Sequence, residues 1–337
     1  MKTVYFRVDM NKEIATGHMM RCLSIAEALK DNGDEAIFIL ADRNACGLLK
    51  EKGFDYRILH SRWDDLETEL PAMTKLIKEC NVESLVIDSY YATHEYLKKL
   101  THLTETTYID DLKRNDLCVN TVLAYSICAK REDYEKAGNA NEMPSKLLIG
   151  PSYAPLRKAF CDIPDKTIRL EIQNILILSG GADPYGTVEK CIDTLVDLGQ
   201  WEINAICGRY SELAGNLREK YLNTERIHIH GHVDGIEVLM QEADLCISAA
   251  GSTLYELCAC GTPALSYTLA DNQLDNAGSF SEKGIIPYLG DVRVDGIEDW
   301  LTTNIKVFYE YESRKMYSGK MRNVVDGMGC SRIIKEI

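Results

Sequence analysis

Hydrophobic and polar positions alternate along the first half of the chain with two periods. Residues 4–8 form a short apolar run that predicts a strand, and residues 19–32 repeat apolar side chains at helical spacing up to Gly33. Further strands are predicted over residues 36–41, 56–59, 84–88 and 107–109, and further helices over residues 44–52, 66–80 and 93–103. Strands separated by helices of this length predict a parallel sheet covered on both faces.

A second series of the same kind follows a break in the pattern. Gly150, Pro151 and Pro155 interrupt the alternation, which is typical of a crossing between domains. The later strands are predicted over residues 174–178, 203–207, 227–230, 245–248 and 264–267, and the helices over residues 185–198, 211–221, 236–241, 252–260, 273–283 and from 297 onward.

Two tandem α/β domains are therefore expected. We predict a Rossmann-like, doubly wound domain over residues 1–150, a linker over 151–164 and a second such domain over 165–337. Ligands of these sheets bind outside the carboxyl ends of the strands, so the sequence predicts that the two domains face each other across one cleft.

Composition and charge narrow the classes of partner. The 337 residues carry 38 basic and 52 acidic side chains, a net charge of −14, which argues against nucleic acid or an anionic membrane surface as a ligand. The chain has no run of about 18 apolar residues, so no membrane insertion is expected. Because no secretory signal is evident, the 12 cysteines are interpreted as free thiols of a cytoplasmic protein.

No metal or other cofactor is expected from the sequence. Cys258 and Cys260 have one residue between them, and there is no second pair at metal-ligand spacing. His228, His230 and His232 would share a face of one strand, but nothing in the sequence completes a metal site there. A solvated strand end is the favoured interpretation of these histidines.

Candidate chemistry in the first domain lies in two loops. Gly17-His18 follows the first strand and opens a helix, which places an imidazole at the carboxyl edge of the sheet as a candidate base. A surface histidine without function is the alternative interpretation. Tyr90 follows the strand that ends at Asp88, so it is expected near His18, and Asp9 at the end of the first strand is a candidate to orient the imidazole.

Two loops of the second domain have small residues suited to a phosphate. Ser179-Gly180-Gly181 follows an apolar strand, and paired glycines allow backbone N–H groups to approach an anion closely. Gly251-Ser252-Thr253 repeats the arrangement at the start of a helix, where Ser252 can cap. Glu256 lies one turn further, where a carboxylate can accept both hydroxyls of a ribose, so the order predicts a nucleotide site.

Amide side chains form a third cluster in the second domain. Asn272, Gln273 and Asn276 follow a strand and open a helix, and their paired donors and acceptors suit sugar hydroxyls. Helix capping is the alternative interpretation. Val233 is predicted to border a nucleobase through its backbone.

These motifs in order resemble the UDP-sugar hydrolases of pseudaminic acid biosynthesis, the UDP-2,4-diacetamido-2,4,6-trideoxy-β-L-altropyranose hydrolase family, and the related spore-coat polysaccharide proteins. The resemblance is carried by Gly17-His18-x-x-Arg21, Asp88-x-Tyr90, Gly150-Pro151-x-Tyr153 and Ser179-Gly180-Gly181-x-Asp183. Residues 243–276 are similar to the nucleotide-binding half of the transferase that makes lipid II. Ala15 departs from the family, which often has a further glycine in that loop.

The resemblance implies the B-type glycosyltransferase fold and a set of roles for these residues. His18 would be the catalytic base, with Tyr90 beside it and Gly17 and Arg21 near the sugar. The diphosphate would contact Gly180, Gly181, Gly251, Ser252 and Thr253, the ribose Glu256, and the sugar Asn272, Gln273 and Asn276. The implied reaction is inverting hydrolysis of a UDP-linked acetamido-deoxy sugar at the anomeric carbon, releasing UDP and the free sugar.

Three alternatives remain open from the sequence. A UDP-sugar-dependent glycosyltransferase would use the same base on an acceptor hydroxyl. A UDP-sugar 2-epimerase would share the architecture. A non-catalytic nucleotide-sugar binding protein would keep the second domain's motifs without needing His18.

Overall fold

The buried strands of the chain form two parallel sheets. The computed structural model describes residues 1–11, 13–14, 16–135, 144–180, 183–207, 213–231, 233–294 and 296–337. The chain divides into two compact units: unit 1 is Met1–Lys158 together with Met328–Ile337, and unit 2 is Ala159–Gly327.

Unit 1 alternates strands and helices along its length. Its strands are β1 (Thr3–Val8), β2 (Glu35–Leu40), β3 (Asp55–Ile58), β4 (Ser84–Asp88), β5 (Glu105–Ile109), β6 (Thr121–Ala124) and β7 (Lys146–Ile149). Its helices are α1 (Gly17–Asp31), α2 (Cys46–Lys52), α3 (Leu70–Glu79), α4 (His94–Thr101) and α5 (Arg131–Glu135). In the described residues the sheet order is β3-β2-β1-β4-β5-β6-β7, so β1 and β4 are neighbours at its centre.

Unit 2 repeats the plan. Its strands are β8 (Asn174–Leu178), β9 (Glu202–Ile206), β10 (Ile227–His230), β11 (Leu245–Ala249), β12 (Ala264–Thr268) and β13 (Tyr288–Asp291). Its helices are α6 (Thr187–Leu198), α7 (Leu213–Lys220), α8 (Ile236–Glu242), α9 (Thr253–Cys260), α10 (Leu274–Glu282), α11 (Ile297–Asn304) and α12 (Tyr311–Arg322). The described strands are ordered β10-β9-β8-β11-β12-β13, which places β8 and β11 side by side.

The predicted alternation is confirmed, with local differences. The strands β6, β7 and β13 were not predicted, although the equally short strands β3 and β10 were. The predicted helix over residues 66–80 begins as a 3-10 turn, Leu66–Glu69, since Pro71 suits the first turn of the α-helix that follows it and not the interior of a longer one.

The division into units departs from the predicted boundary at the C-terminus. The last helix, α13 (Gly329–Ile333), was expected in the second domain but belongs to unit 1. Gly329 approaches the backbone of Ala154 so closely that a Cβ would overlap it. Arg332 Nη1 donates to the carbonyl of Ser152 at 2.8 Å. The chain therefore crosses between the units twice, and a sequence boundary placed once cannot describe it.

Candidate functional site

His18 lies in the first turn of α1, at the carboxyl edge of the sheet of unit 1. Its Nδ1 is 2.5 Å from Oδ1 of Asp88, the last residue of the neighbouring strand β4. Arg21, one turn further along α1, donates to both oxygens of the same carboxylate at 2.6 Å. All three side chains are buried, so α1 is joined to β4 by a charged network next to the candidate base.

The protonation of this network follows from its donors and acceptors. Burial alone would raise the pKa of Asp88, but the charge and hydrogen bonds of Arg21, with those of His18, lower it well below its usual value. An ionised carboxylate only accepts hydrogen bonds, so the His18 proton is assigned to Nδ1. Nε2 of His18 is then the ring nitrogen with a lone pair to accept a proton.

A second carboxylate completes the network on the side of β5. Asp111 Oδ2 accepts hydrogen bonds from Arg21 Nη1 at 2.8 Å and from the Tyr90 hydroxyl at 3.0 Å. The ring of Tyr90 stands edge-on to the His18 ring, with centroids 4.5 Å apart. Arg21 also donates to the hydroxyl of Tyr125 at 3.1 Å. The predicted proximity of Tyr90 to His18 is therefore confirmed.

The sequence prediction for Asp9 is wrong. Its carboxylate accepts hydrogen bonds from Arg7 Nη1 at 2.5 Å and from the backbone N–H of Ala41 at 2.8 Å. The residue that contacts His18 is Asp88, at the end of β4, the strand beside β1. Arg21 also has a positioning role, since its guanidinium is hydrogen bonded to Asp88, Asp111 and Tyr125, and its predicted contact with the sugar stays a prediction.

Gly17 is the first residue of α1 and is exposed beside His18. A Cβ at this position would meet no atom of the described chain within 4 Å, and the backbone does not adopt a positive φ. Gly17 therefore leaves open space next to the imidazole, and its contact with a sugar stays a prediction. Ala15 lies outside the described residues.

An acid titration tests the Asp88 network. Because the folded-state pKa of Asp88 is depressed, its stabilisation is complete above its ordinary pKa of 3.8 and is lost as the pH falls toward the folded value. We expect the free energy of unfolding of the wild type to exceed that of Asp88→Asn at neutral pH. That difference should shrink below about pH 4 in denaturant titrations.

Asp110, at the end of the neighbouring strand β5, provides the matched control. Burial is the largest influence on its carboxyl and raises its pKa, although the Tyr134 hydroxyl and two backbone N–H groups act in the opposite direction. The sign is therefore reversed, and the wild type should gain stability over Asp110→Asn as the pH falls. Equal slopes for the two variants would contradict the proposed network.

In unit 2, Gly180 lies in the loop after β8 and is exposed. Its φ of +79° is a backbone conformation that favours glycine. Gly181 and Ala182 lie outside the described residues, and the predicted phosphate contact of Gly181 stays a prediction. Asp183 accepts hydrogen bonds from the backbone N–H groups of Thr187 and Val188, at 2.9 and 2.8 Å. The start of α6 is thus capped by the chain itself, which leaves Gly180 as the described part of this loop open to an anion.

The loop after β11 leads into α9 with an accessible polar face. Ser252 is exposed, Thr253 and Glu256 are half-buried, and the residues between and beyond them pack into the core. The Ser252 side chain makes no capping hydrogen bond to the helix. Gly251, which precedes them, is half-buried, and a Cβ at this position would meet no atom of the described chain within 4 Å. The predicted phosphate and ribose residues therefore share one face at the positive end of α9.

The three amide side chains differ in exposure: Asn276 is buried, Gln273 is half-buried and Asn272 is exposed. Asn276 is buried, its Oδ1 accepting from the Tyr255 hydroxyl at 2.6 Å and its Nδ2 donating to the carbonyl of Ala250 at 3.1 Å. The structure thus corrects the sugar-binding prediction for Asn276, whose amide ties α10 to the loop after β11. Gln273 Oε1 accepts from the backbone N–H of Leu269, and Asn272 is exposed.

The histidines of β10 contact side chains of the neighbouring strand β9. His228 Nε2 contacts Glu202, and His230 Nε2 contacts Asn204, both at 2.9 Å and both from β10 to β9. His232 lies outside the described residues, and Val233 after it is half-buried, so its nucleobase contact stays a prediction. Within the described ranges, no group of three or more His, Cys, Asp or Glu side chains could hold a metal ion.

Two further residues belong to the site in unit 1. Asp111 and Tyr125 follow β5 and β6, and neither was predicted as a site residue. The signal for Asp111 is the acidic pair Asp110-Asp111 directly after the largely buried strand β5. In the part of the chain that the structure describes, no helix is both long and apolar enough to cross a membrane.

Comparison with known proteins gives matches to a protein family and to individual proteins. The model of the glycosyltransferase family 28 C-terminal domain matches residues 174–318, which lie in unit 2. The spore coat polysaccharide biosynthesis protein SpsG of Bacillus subtilis is 23% identical over 335 residues, covering 96% of this chain and 94% of that protein.

Two further relatives match at similar identity. An uncharacterized protein of Methanocaldococcus jannaschii is 26% identical over 79% of this chain, and the match spans 55% of that protein's length. The Helicobacter pylori UDP-N-acetylglucosamine–N-acetylmuramyl-(pentapeptide) pyrophosphoryl-undecaprenol N-acetylglucosamine transferase is 26% identical, covering 76% of each chain.

Solved structures show the fold. The crystal structure of MurG from Acinetobacter baumannii superposes with a TM-score of 0.69 at 14% identity, covering 99% of this chain and 98% of that chain. The two parallel α/β units are thus those of the B-type glycosyltransferase fold, as predicted. At this identity the likeness concerns the fold alone.

Proposed function

We propose that the chain is an enzyme that transfers the glycosyl group of a UDP-sugar, with UDP bound by unit 2 and His18 of unit 1 acting as the base. The observation that carries the proposal is the buried network in which Asp88 holds Nδ1 of His18. A histidine kept in one tautomer by a buried carboxylate is suited to accept a proton at its other nitrogen.

The proposed reaction is a single displacement at the anomeric carbon. An oxygen nucleophile attacks that carbon, its proton passes to Nε2 of His18, and the bond from the anomeric carbon to the UDP oxygen breaks. The electron pair of that bond leaves with UDP, and the configuration inverts. Arg21 keeps Asp88 ionised and Tyr90 packs against the imidazole, so both position the base.

Unit 2 supports the nucleotide half of the proposal. Ser252 and Thr253 stand at the start of α9, where the positive end of the helix dipole favours a diphosphate. Glu256 on the same face would accept the hydroxyls of the ribose. Because these groups act through N–H dipoles, they suit one diphosphate despite a net charge of −14.

An acceptor hydroxyl is the nucleophile that the relatives favour. The match of unit 2 to a glycosyltransferase domain and the similarity to an N-acetylglucosamine transferase both support a glycosyltransferase. An acceptor hydroxyl has the same requirement as water for a base, so the His18 network serves either.

Hydrolysis is the second candidate, and a specific observation favours it. The motifs around His18, Tyr90 and Gly180 resemble those of the UDP-sugar hydrolases of pseudaminic acid biosynthesis. Water would then be the nucleophile, and the products would be UDP and a free acetamido-deoxy sugar. The similarity to SpsG over nearly the whole chain is compatible with both candidates.

One assay separates the candidates. Purified protein is incubated with a panel of UDP-N-acetylated sugars, with and without candidate acceptor saccharides, while free UDP and the anomeric configuration of the product are followed by NMR. UDP release that depends on an acceptor supports the transferase, and release without one supports the hydrolase. UDP binding without any turnover over the whole panel would contradict an enzymatic function.

Replacing Glu256 tests the ribose assignment. Glu256→Ala is expected to weaken UDP binding by about 1–3 kcal/mol, because hydrogen bonds to a charged group are lost. Isothermal titration with UDP measures the change. Glu282→Ala, at the end of α10 in the same unit, is the control and should bind UDP as the wild type does. An unchanged affinity in Glu256→Ala would remove Glu256 from the site.

A further inference from the structure

A groove in unit 1 lies beside the His18 network and is not explained by it. It encloses about 460 Å³ between the turn before α3 and the residues that begin α4. Tyr90 forms part of its wall, and the same tyrosine contacts the His18 ring and donates to Asp111. A ligand in the groove would thus share a wall with the candidate base.

The charge of the groove disfavours an anion, although Arg62 and Lys99 pair with two of its carboxylates. Its lining includes the carboxylates of Asp64, Asp65, Glu67 and Asp116 against the single guanidinium of Arg114. Arg114 is itself paired with Asp116, its Nη2 lying 2.7 Å from that carboxylate. A diphosphate or a carboxylate ligand would meet this negative field, so the groove is distinct in chemistry from the proposed UDP site.

One carboxylate of the groove is available for a ligand. Asp64 is paired with Arg62 at 2.8 Å, and Glu67 accepts from the Thr93 hydroxyl. Asp65 is half-buried, and its carboxylate receives no hydrogen bond from the described part of the chain. An ionised carboxylate accepts hydrogen bonds from hydroxyl or ammonium groups, so it suits a sugar hydroxyl or an amino sugar.

An aromatic ring faces the groove in a fixed position. Tyr91 lines it and is 40% exposed, although it is a large side chain. The ring of Trp63 stands edge-on against it, with centroids 5.2 Å apart and planes at 88°. The negative face of an aromatic ring attracts the weakly positive C–H groups of a pyranose, and a braced ring loses little entropy on binding.

We propose that this groove binds the pyranose ring of a neutral or amino sugar, packed on Tyr91 and hydrogen bonded by Asp65. The proposal that this sugar is a substrate rests on the proposed function. Two sources have this chemistry, the acceptor saccharide and the glycosyl group of the UDP-sugar. The sugar-binding site itself is independent of nucleotide and can be tested without it.

Saturation-transfer-difference NMR on the full chain tests the site directly. The probes are N-acetylglucosamine, glucosamine and glucuronate, each titrated in the absence of UDP. We expect both uncharged and cationic sugars to bind and glucuronate to bind at least about tenfold more weakly, because of the carboxylates. Equal binding of glucuronate, or no binding of any probe, would overturn the proposal.

Substitutions locate the binding in the groove. Tyr91→Ala is expected to weaken sugar binding roughly tenfold, and Asp65→Asn, which keeps the shape of the side chain, roughly threefold or more. Tyr309→Ala is the matched control, since Tyr309 of unit 2 is 41% exposed and also contacts a tryptophan, Trp201. Equal losses in Tyr91→Ala and Tyr309→Ala would overturn the assignment.

Turnover assays with Tyr91→Ala distinguish the two sources of the sugar. A raised KM for the acceptor with an unchanged KM for the UDP-sugar identifies the acceptor. A raised KM for the UDP-sugar with an unchanged Kd for UDP identifies the glycosyl group of the donor, and no change in either excludes a substrate. Failure of the proposed function itself would appear as absent UDP binding or turnover, with sugar binding intact.

Discussion

His18→Ala is expected to lower the rate of UDP release by roughly 10²–10⁴-fold, because it removes the group that accepts the proton of the nucleophile. The affinity for UDP should stay unchanged, since the residues proposed to bind the nucleotide lie in unit 2 and His18 lies in unit 1. Steady-state release of UDP and isothermal titration with UDP measure the two quantities on the same preparation.

Two further variants sharpen this experiment. Asp88→Asn keeps the shape of the side chain but removes the charge that holds Nδ1 of His18, so its turnover should also fall with UDP affinity retained. His102→Ala, at the exposed end of α4, is the control for the loss of a histidine and should turn over normally. Full activity in His18→Ala would show that His18 is not the base, whichever nucleophile the enzyme uses.

Glu69→Gln is expected to destabilise unit 1 by about 3–5 kcal/mol, because it leaves the charge of a buried arginine poorly compensated. Arg7 is fully buried on β1 and donates to Glu69 Oε1 and Oε2 at 2.6 and 2.8 Å. Glu69 also accepts from the Tyr96 and Ser61 hydroxyls, both at 2.7 Å. Burial would lower the pKa of Arg7, but Asp9 and Glu69 raise it, so the guanidinium stays charged.

Hydrogen exchange measures this loss separately in each unit. Amides of β1 and β4 should exchange faster in Glu69→Gln, while those of β8 and β11 should exchange as in the wild type. Glu189→Gln is the control, since its pair with Lys220 is as short, 2.7 Å, but both side chains are more than 40% exposed. Its cost should be below about 1 kcal/mol, and equal losses in the two variants would refute a special role for the buried pair.

The fold could be predicted from the sequence because hydrophobic periodicity is a local signal. The run Val4 to Val8 predicted a strand, and the apolar repeat from Met19 predicted the helix that follows it, since periodicity depends on neighbours along the chain. The order of strands in each sheet, and the return of Gly329 to unit 1, depend on contacts between distant segments. Such contacts leave no periodic trace in the sequence.

The candidate site was predictable in part for the same reason. Gly17-His18 and Ser252-Thr253 follow strands and begin helices, and the structure places them at those positions. Asn276 is a residue type that often binds sugars, yet its amide is buried and hydrogen bonded to Tyr255 and Ala250. Residue type alone cannot show whether a polar group is already hydrogen bonded inside the fold.

The sequence by itself determined that the chain forms two parallel α/β domains and that His18 and Glu256 lie in the first turns of helices that follow strands. Only the tertiary structure decided which carboxylate holds His18. Asp88 is 70 residues away along the chain, and Asp111 is 90 residues from Arg21. They meet because β4 lies beside β1 and β5 beside β4, an order set by how the helices cover both faces of the sheet.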